Sequence, residues 1–365
     1  RYSILVTMKN STERNYGMET IADSVLLDTV PPDLKLNQTN WLEYNASAPH
    51  KEVPMTVDDA SDLYPFDDIT LVPHDRVETF TNPTKRIEVS LVTEDLATGE
   101  SYMLLNDISY TPPKVPTLYT VMSSGNLATN ASIYGENTHS FVLNHLEVVE
   151  IVLSNLDTGT HPFHLHGRNF QLLERHPSFG PHFYDYSDGV NFATFNASDD
   201  HHFPTYPARR DTFVLPPGGY YVIRFVADNP GVWLFHCHID WHLAQGLAMT
   251  FVEAPQQIQE RVSIPEDHYQ VCKAAGVSYK GNAAANTEDL LDLMGQNTQP
   301  KFLPEGFTAR GIVALVFSCI SAVVGMGFIT AYGISDLKFT LTEPGTDNED
   351  IRMEERTGSA QDYHD

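Results

Sequence analysis

The chain has 365 residues and a mass of 40.8 kDa, a length that suits two or three domains and allows a substantial hydrophobic core. Acidic residues outnumber basic ones by 48 to 22, which gives a formal net charge of −26. Because such a surface repels polyanions, we exclude nucleic acid as the default partner and favour cations. The chain begins with RYSILV and no methionine, so we expect it to start inside a domain of a longer protein.

Short runs of β-branched and aromatic residues recur before residue 256, separated by turns rich in Pro, Gly, Asn and Asp. We predict strands over these runs, in chain order: 2–8, 69–72, 86–91, 101–105, 141–143, 148–153, 212–215, 220–226 and 247–252. Many short strands with almost no amphipathic helical stretch indicate an all-β protein built from sandwich or barrel domains.

The composition divides the chain into five parts. We expect residues 1–72 to be the end of one β-domain with its linker, and residues 73–255 to form a complete β-sandwich. Residues 256–308 are polar, and we expect a stalk with one helix near 287–294. Residues 309–335 are predicted to be a transmembrane helix, because 311–335 carry no charge and would cross a hydrocarbon core of about 30 Å. We expect the tail, 336–365, to be disordered.

Five Asn-x-Ser/Thr sequons favour a secretory route and place residues 1–310 outside the membrane, with the tail in the cytosol. The predicted glycosylation sites are Asn10, Asn37, Asn45, Asn130 and Asn196. Cysteine is too scarce for a disulfide framework, since Cys237, Cys272 and Cys319 are the three in the chain. We expect Cys272 to be exposed and either free or paired with a cysteine elsewhere in the whole protein.

Two histidine-rich clusters carry the chemistry: HPFHLHG at 161–167 and HCHIDWH at 236–242. In an extended segment His164 and His166 share one face, as do His236 and His238, while Cys237 points to the other face. The clusters therefore serve two sites. Cys237, His242 and His161 make a His₂Cys set, which is typical of blue copper. The other four histidines make an imidazole-only group suited to copper that reduces oxygen.

Alternatives to this interpretation remain open at the level of single residues. A structural zinc site would normally need four closed ligands and more than one thiolate, and a lone histidine is more often a core or surface residue. We expect His176, His182, His201 and His202, in a polar loop, to be solvated.

The two motifs together resemble the third-domain copper motifs of multicopper oxidases. KVPTLY at 114–119, RRDT at 209–212 and DNPGVWLF at 228–235 resemble the fungal iron-oxidase branch, and the similarity covers residues 1–255. The resemblance implies cupredoxin-like domains, namely the end of a second and a complete third. It also implies a membrane anchor and four copper ions in the full-length protein.

The family pattern implies a role for each motif residue. His161, Cys237 and His242 would bind type 1 copper, His164 type 2 copper, and His166, His236 and His238 the type 3 pair. The remaining cluster ligands would lie in a first domain that this sequence lacks, so we expect the chain alone to be inactive. Leu247 stands where many relatives have an axial Met, which should raise the copper potential, and we expect nearby Met249 to be core.

Three acids are candidates for substrate and proton chemistry. Asp157 lies on the loop that leads to His161, where a carboxylate could bind Fe(II), although an ordinary turn Asp is the alternative. The resemblance implies that Asp157 and Asp28 are iron-site acids. Asp240, two residues after His238, is the candidate proton donor, with a surface or supporting carboxylate as the alternative.

The function that the resemblance implies is that of a multicopper ferroxidase, which oxidises Fe(II) with four-electron reduction of O₂ to water and supports iron uptake. The alternatives are a laccase-like phenol oxidase and, for this stretch of chain, a copper-binding electron-transfer module without oxidase activity. The resemblance also implies an iron permease as partner. We expect a single-pass protein of the plasma membrane with its catalytic part extracellular, and the vacuolar membrane is the alternative location.

Overall fold

The computed structural model describes residues 5–8, 10, 14–22, 27, 29–50, 67–177, 189–304 and 306–335. Two compact units divide the chain, Arg1–Leu303 and Pro304–Asp365. The described strands are β1 (Tyr16–Ile21), β2 (Asn37–Leu42), β3 (Lys85–Asp95), β4 (Ser101–Leu105), β5 (Ser140–Leu143), β6 (Val148–Asn155), β7 (His161–Leu165), β8 (Phe170–His176), β9 (Arg209–Arg210), β10 (Thr212–Leu215), β11 (Tyr220–Val226), β12 (Gly231–Cys237) and β13 (Ala248–Glu253). The described α-helices are α1 (Thr117–Ser123), α2 (Asp240–Ala244), α3 (Pro255–Arg261), α4 (Glu266–Ala275) and α5 (Ala309–Ile334).

Two sheets enclose the main core, which confirms the predicted all-β class. One sheet has the strand order β10-β7-β12-β13-β5 and the other β4-β3-β6-β11-β8-β9, while β1 and β2 pair with each other. All pairings are antiparallel except β13 with β5 and β3 with β6. Side chains from both sheets meet in the core, among them Val89 of β3, Phe163 of β7 and Phe235 of β12. Alternation along β3, where Ile87, Val89 and Leu91 are buried, shows why these residues form a strand with one face inward.

The outer face of the six-stranded sheet is covered as well. Val152, Leu173 and Val222 pack there against Phe195 and Phe203 of a long loop. This cover corrects our expectation for His201, which stacks on Phe195 at 4.3 Å and has its Nδ1 2.7 Å from a Glu174 carboxylate oxygen. Phe195 lies in the same loop, but Glu174 is 27 residues away on β8, so the polar composition of the loop gave no sign of that contact. His202 is exposed as expected, and His182 lies outside the described residues.

Two of the predicted strands differ from the structure. The run 69–72 is not a strand, because the Asp67 carboxylate accepts a hydrogen bond from the Ile69 amide and caps a 3₁₀ turn, Asp68–Thr70. Residues 5–8 of the predicted strand 2–8 have no regular structure, and the start of that run lies outside the described residues.

Residues 255–303 pack on the sandwich, where we expected a stalk. Helix α3 contacts the body through Gln259, whose amide donates to the carbonyls of Val121 and Gly125. Helix α4 brings Cys272 against Val115 and Tyr119. This cysteine is therefore buried, whereas we expected it to be exposed. The expected helix near 287–294 is absent, and that stretch consists of turns and bends. Helices α3 and α4 each make apolar contacts on one side. The average composition of the segment is polar, so it did not reveal this packing.

Helix α5 has 26 residues and is long and apolar enough to cross a bilayer, judged by its length and composition. None of its side chains is buried, in contrast to the core helix that would be the alternative. Its N-terminus is capped by Thr308, whose hydroxyl accepts from the Gly311 amide at 3.1 Å. The predicted tail, 336–365, lies outside the described residues.

Candidate metal centre

The two histidine clusters lie on neighbouring antiparallel strands. In the register of β7 and β12, His236 is opposite His164 and Cys237 is opposite Phe163. Burial alternates along β7, where His161, Phe163 and Leu165 face inward. The clusters, about 70 residues apart in sequence, therefore meet at one edge of the sandwich.

Three side chains converge on one point below this edge. The Nδ1 atoms of His161 and His242 are 3.1 Å apart, and the Sγ of Cys237 is 3.3 Å from Nδ1 of His242 and 3.9 Å from Nδ1 of His161. All three residues are buried. This triangle leaves a point about 2.0 Å from each atom, close to the roughly 2.0–2.3 Å of metal–nitrogen and metal–sulfur bonds. The donor set thus fits a single metal ion.

Burial sets the protonation of this donor set. It raises the pKa of the Cys237 thiol to about 12, so at neutral pH the metal-free cysteine is a thiol. Burial, together with nearby His161, lowers the pKa of His242 to about 4, so its ring is neutral and can offer a lone pair. A metal ion that binds here must displace the thiol proton, while His242 is already in its ligating form.

Asp157 lies against the outer edge of the same triad. Its Oδ2 accepts a hydrogen bond from Nε2 of His161 at 3.1 Å and another from the Thr93 hydroxyl at 3.1 Å, and its Oδ1 accepts from the Thr158 amide at 2.7 Å. The bond from His161 lowers the pKa of Asp157 to about 2, although partial burial opposes this shift. The bond also places the His161 proton on Nε2 and leaves Nδ1 as the acceptor that faces Cys237.

A pocket of about 280 Å³ opens at this edge. Residues from β3, β4, the loop before β7 and helix α2 line it, including Thr93, Ser101, Asp157, Trp241 and Gln245. Asp157 contributes an ionised carboxylate, and His161 and His242 form the floor. A small cation bound to the Asp157 carboxylate in this pocket would be separated from His161 by one hydrogen bond.

The other four histidines gather on the opposite side of the strand pair. The His164 ring lies 4.7 Å from that of His166, 5.9 Å from that of His236 and 6.0 Å from that of His238. Nδ1 of His164 donates to the Asp211 carbonyl and Nδ1 of His236 to the Cys237 carbonyl, so the Nε2 atom of each offers a lone pair. Burial lowers the pKa of His166 and His236, which keeps both rings neutral.

The remaining predicted site residues are distributed as follows. Asp240 is exposed in the first turn of α2. Leu247 and Met249 are fully buried in the main core, and Cys237 donates its amide hydrogen to the Leu247 carbonyl. Asp28 lies outside the described residues. Asn10, Asn45 and Asn196 are exposed, and Asn37 and Asn130 are half-buried.

Sequence reasoning missed two residues that shape the site. Thr93 donates to Asp157 from β3, in the opposite sheet, and nothing local in the sequence reveals a partner 64 residues away. Asn155 is buried and accepts from the Asp157 amide, while its own amide donates to the carbonyls of Gly159 and Pro216. An Asn that bonds the amide two residues later is a common turn signal and could have been found.

The geometry agrees with the comparisons to known proteins. Residues 110–257 match the family model described as "Multicopper oxidase". The chain is 48% identical over 335 residues to the iron transport multicopper oxidase FET3 of Gibberella zeae, covering 92% of this chain and 52% of that protein. It is 45% identical over 344 residues to the FET3 protein of Saccharomyces cerevisiae, again covering 52% of it. The chain thus spans about half the length of these relatives.

A solved structure gives the same result at the level of the fold. The crystal structure of Fet3p, described as a multicopper oxidase that functions in iron import, superposes with a TM-score of 0.70 at 45% identity, covering 80% of this chain and 54% of that chain. The expected cupredoxin-like fold is therefore confirmed. The chain belongs to the multicopper oxidase family.

Proposed function

We propose that this chain carries the electron-entry site of a ferroxidase, which in the whole protein oxidises four Fe(II) ions and reduces one O₂ to two waters with four protons. The observation that carries the proposal is the bond between Asp157 and His161, because it joins a pocket with an ionised carboxylate to a buried His₂Cys donor set. A pocket built for a phenol would need an apolar or lightly acidic lining, whereas Asp157 together with Asp28 would favour a cation.

The donor chemistry favours copper as the resident metal. His161, Cys237 and His242 would hold the type 1 ion, His164 the type 2 ion, and His166, His236 and His238 the type 3 pair. Bound copper supplies one-electron transfer from the substrate and the four-electron reduction of O₂. Leu247 has a hydrocarbon side chain and would offer the copper no donor atom, which would favour the reduced ion and a higher potential.

The residues of this chain then act on substrate and protons. The Asp157 carboxylate binds the hard Fe(II) ion, and because it binds Fe(III) more tightly it lowers the iron potential. Asp28 is proposed as a second acid of the same iron site. The Cys237 backbone links the His₂Cys set directly to His236 and His238, which makes a short covalent route between the two groups. Asp240 is proposed to hold the proton delivered during oxygen reduction.

The cellular setting is part of the proposal. Helix α5 would anchor the protein by a single pass in the plasma membrane, with the vacuolar membrane as the alternative, and with residues 1–310 outside the cytosol. Glycans would lie on Asn10, Asn37, Asn45, Asn130 and Asn196. An iron permease is the proposed partner, since Fe(III) must be taken up after it forms. We also propose that the domain boundaries lie at 72 and 255. A first domain elsewhere in the whole protein would supply the remaining copper ligands.

Oxygen uptake by the full-length, copper-loaded protein tests this function. We expect Fe(II) to drive uptake at four Fe(II) per O₂. Cys237→Ser should abolish both the uptake and the blue copper–thiolate absorption, whereas Cys272→Ser, a buried cysteine outside the site, should leave both intact. A wild-type protein that is blue but consumes no oxygen with Fe(II) would contradict the proposal.

A further inference from the structure

A polar segment after α4 returns to the sandwich and lies along it. We call residues 295–303 the strap. Ala97 donates its amide hydrogen to the Lys301 carbonyl at 2.8 Å, and Leu96 and Phe302 form an isolated β-bridge. The Asn297 amide donates to the Pro112 carbonyl at 2.8 Å. The strap is therefore held along its length by the body of the domain.

Gln299 is the central contact of the strap. Its Oε1 accepts from the Ser109 amide at 2.7 Å and from Nδ2 of Asn137 at 2.6 Å, and its Nε2 donates to the Asp107 carbonyl at 3.1 Å. One side chain thus satisfies three groups on two segments that lie 162 to 192 residues away in sequence. Such a bond set fixes the loop that carries Asp107 and Ser109.

That loop in turn holds the turn between two metal-centre residues. The Ser109 hydroxyl donates to the Gln245 carbonyl at 3.0 Å, and the Tyr110 amide donates to the Gly246 carbonyl at 2.8 Å. Gly246 has φ +101°, and a Cβ there would lie 1.9 Å from the Ser109 hydroxyl, so the two segments are in close contact. The turn 245–246 connects His242 to Leu247, and the Leu247 amide donates to the His242 carbonyl at 3.0 Å.

The same turn belongs to the wall of the pocket. Gln245 and Met103 both line it, and the Met103 amide donates to the Gln245 carbonyl at 3.0 Å. Loss of the contact at Gln299 would therefore shift the backbone that positions the ligand His242. It would also change the width of the pocket beside Asp157.

We infer that Gln299 is a positioning residue, through which the strap fixes the turn 245–246 and thereby both the geometry of the His₂Cys centre and the pocket for Fe(II). The inference rests on the proposed function for the identity of the substrate, Fe(II). It rests on the His₂Cys donor set for the presence of a metal ion. It also makes the segment that leads towards α5 a structural part of the electron-entry site.

Gln299→Leu in the full-length, copper-loaded protein tests the inference, since Leu keeps the bulk and removes all three bonds. We expect copper content to stay at the wild-type level, the copper–thiolate absorption band to shift, and the KM for Fe(II) to rise about three- to tenfold with a smaller change in kcat, because a misplaced binding wall costs affinity first. Gln299→Glu keeps the two acceptor bonds but sets a carboxylate oxygen against the Asp107 carbonyl, so it should restore the band and the KM in part.

Gln259→Leu is the matched control, because Gln259 also fixes a C-terminal segment to backbone carbonyls, those of Val121 and Gly125, outside the pocket. It should lower the thermal midpoint without moving the band or the KM. A Gln299→Leu protein with a wild-type band and KM would overturn the inference. The absorption measurement decides this even if Fe(II) proves not to be the substrate, whereas a wild-type protein without iron turnover contradicts the proposed function alone.

Discussion

The carboxylate of Asp157 accepts a hydrogen bond from Nε2 of His161 at 3.1 Å, and Nδ1 of the same ring faces the Cys237 sulfur at 3.9 Å. One imidazole therefore joins the candidate iron site to the buried donor set. Because the bond holds the His161 proton on Nε2, the carboxylate influences both the substrate and the metal ligand.

Asp157→Asn should raise the reduction potential of the copper proposed to bind the His₂Cys set. The amide removes a negative charge next to His161 and accepts a weaker hydrogen bond, so the oxidised ion loses stabilisation. If the oxidised ion loses ~1 kcal/mol of stabilisation relative to the reduced ion, the one-electron reduction potential rises by about 40 mV. Redox titration of the blue absorption measures the shift, with Glu260→Gln, which removes an exposed carboxylate of helix α3, as control. An unchanged potential would contradict the coupling of Asp157 to the metal centre.

Copper binding at the His₂Cys set should release the thiol proton of Cys237. Since burial raises the pKa of this thiol to about 12, it is protonated below that pH, and metal affinity must increase as pH rises. Between about pH 7.5 and 9.5 the affinity for Cu(I) should rise about tenfold per pH unit, because His242, with its pKa lowered to about 4, adds no proton. Competition with a Cu(I) chelator measures the slope. A pH-independent affinity would mean that the metal-free cysteine is already a thiolate.

His139 should make the protein sensitive to acid. Its ring is buried, and burial lowers its pKa to about 4 from the ordinary 6.5. The folded state therefore prefers the neutral ring, and the stability that depends on it is complete above pH 6.5 and is lost as pH falls towards 4, by about 3 kcal/mol in total. His139→Asn tolerates the positive φ of 46° and carries no titrating group. Between pH 7.5 and pH 4.5 the thermal midpoint should fall less for this variant than for the wild type. An equal fall in both proteins would contradict the role of His139.

Gly167→Ala should disrupt the imidazole group next to it. A Cβ at this position would lie 2.4 Å from the Trp233 indole, so the backbone after His166 must shift or the indole must move. We expect the free energy of unfolding to fall by about 2–4 kcal/mol and the absorption of the proposed type 3 coppers to weaken. Gly99→Ala is the control, because Gly99 has nearly the same φ, +78° against +79°, and apart from Gly99 and its two chain neighbours no atom lies within 4 Å of the added carbon. Equal effects of the two substitutions would show that backbone strain, and not the clash with Trp233, is responsible.

The sequence predicted the strands where burial repeats in a simple way. Strands β6 and β11 are mostly apolar and buried along nearly their whole length at the centre of a sheet, and β3 alternates, so their patterns agree with their positions. The run at 69–72 has the same composition, but the Asp67 cap and the ion pair of Asp68 with Arg210 determine its conformation. Asp67 and Asp68 adjoin the run, but Arg210 lies 142 residues further along the chain.

The candidate metal ligands were predictable because they all lie in two short motifs. Alternation along 161–166 and 236–238 was enough to separate the two ligand groups onto different faces. The supporting contacts were not predictable, because Thr93, Ser109 and Gln299 reach the site from segments distant in sequence. Cys272 shows the same limit, since its burial depends on Val115 and Tyr119.

The most direct test of the account is oxygen uptake by the full-length, copper-loaded protein with Fe(II) and, separately, with a phenol, in the wild type and in the double variant Asp157→Ala, Asp28→Ala. The account predicts that the double variant loses most of its Fe(II) turnover while phenol oxidation and the blue absorption persist, because the acids bind iron and do not hold copper. Unchanged Fe(II) kinetics in the double variant would contradict it and leave a multicopper oxidase whose substrate is bound elsewhere.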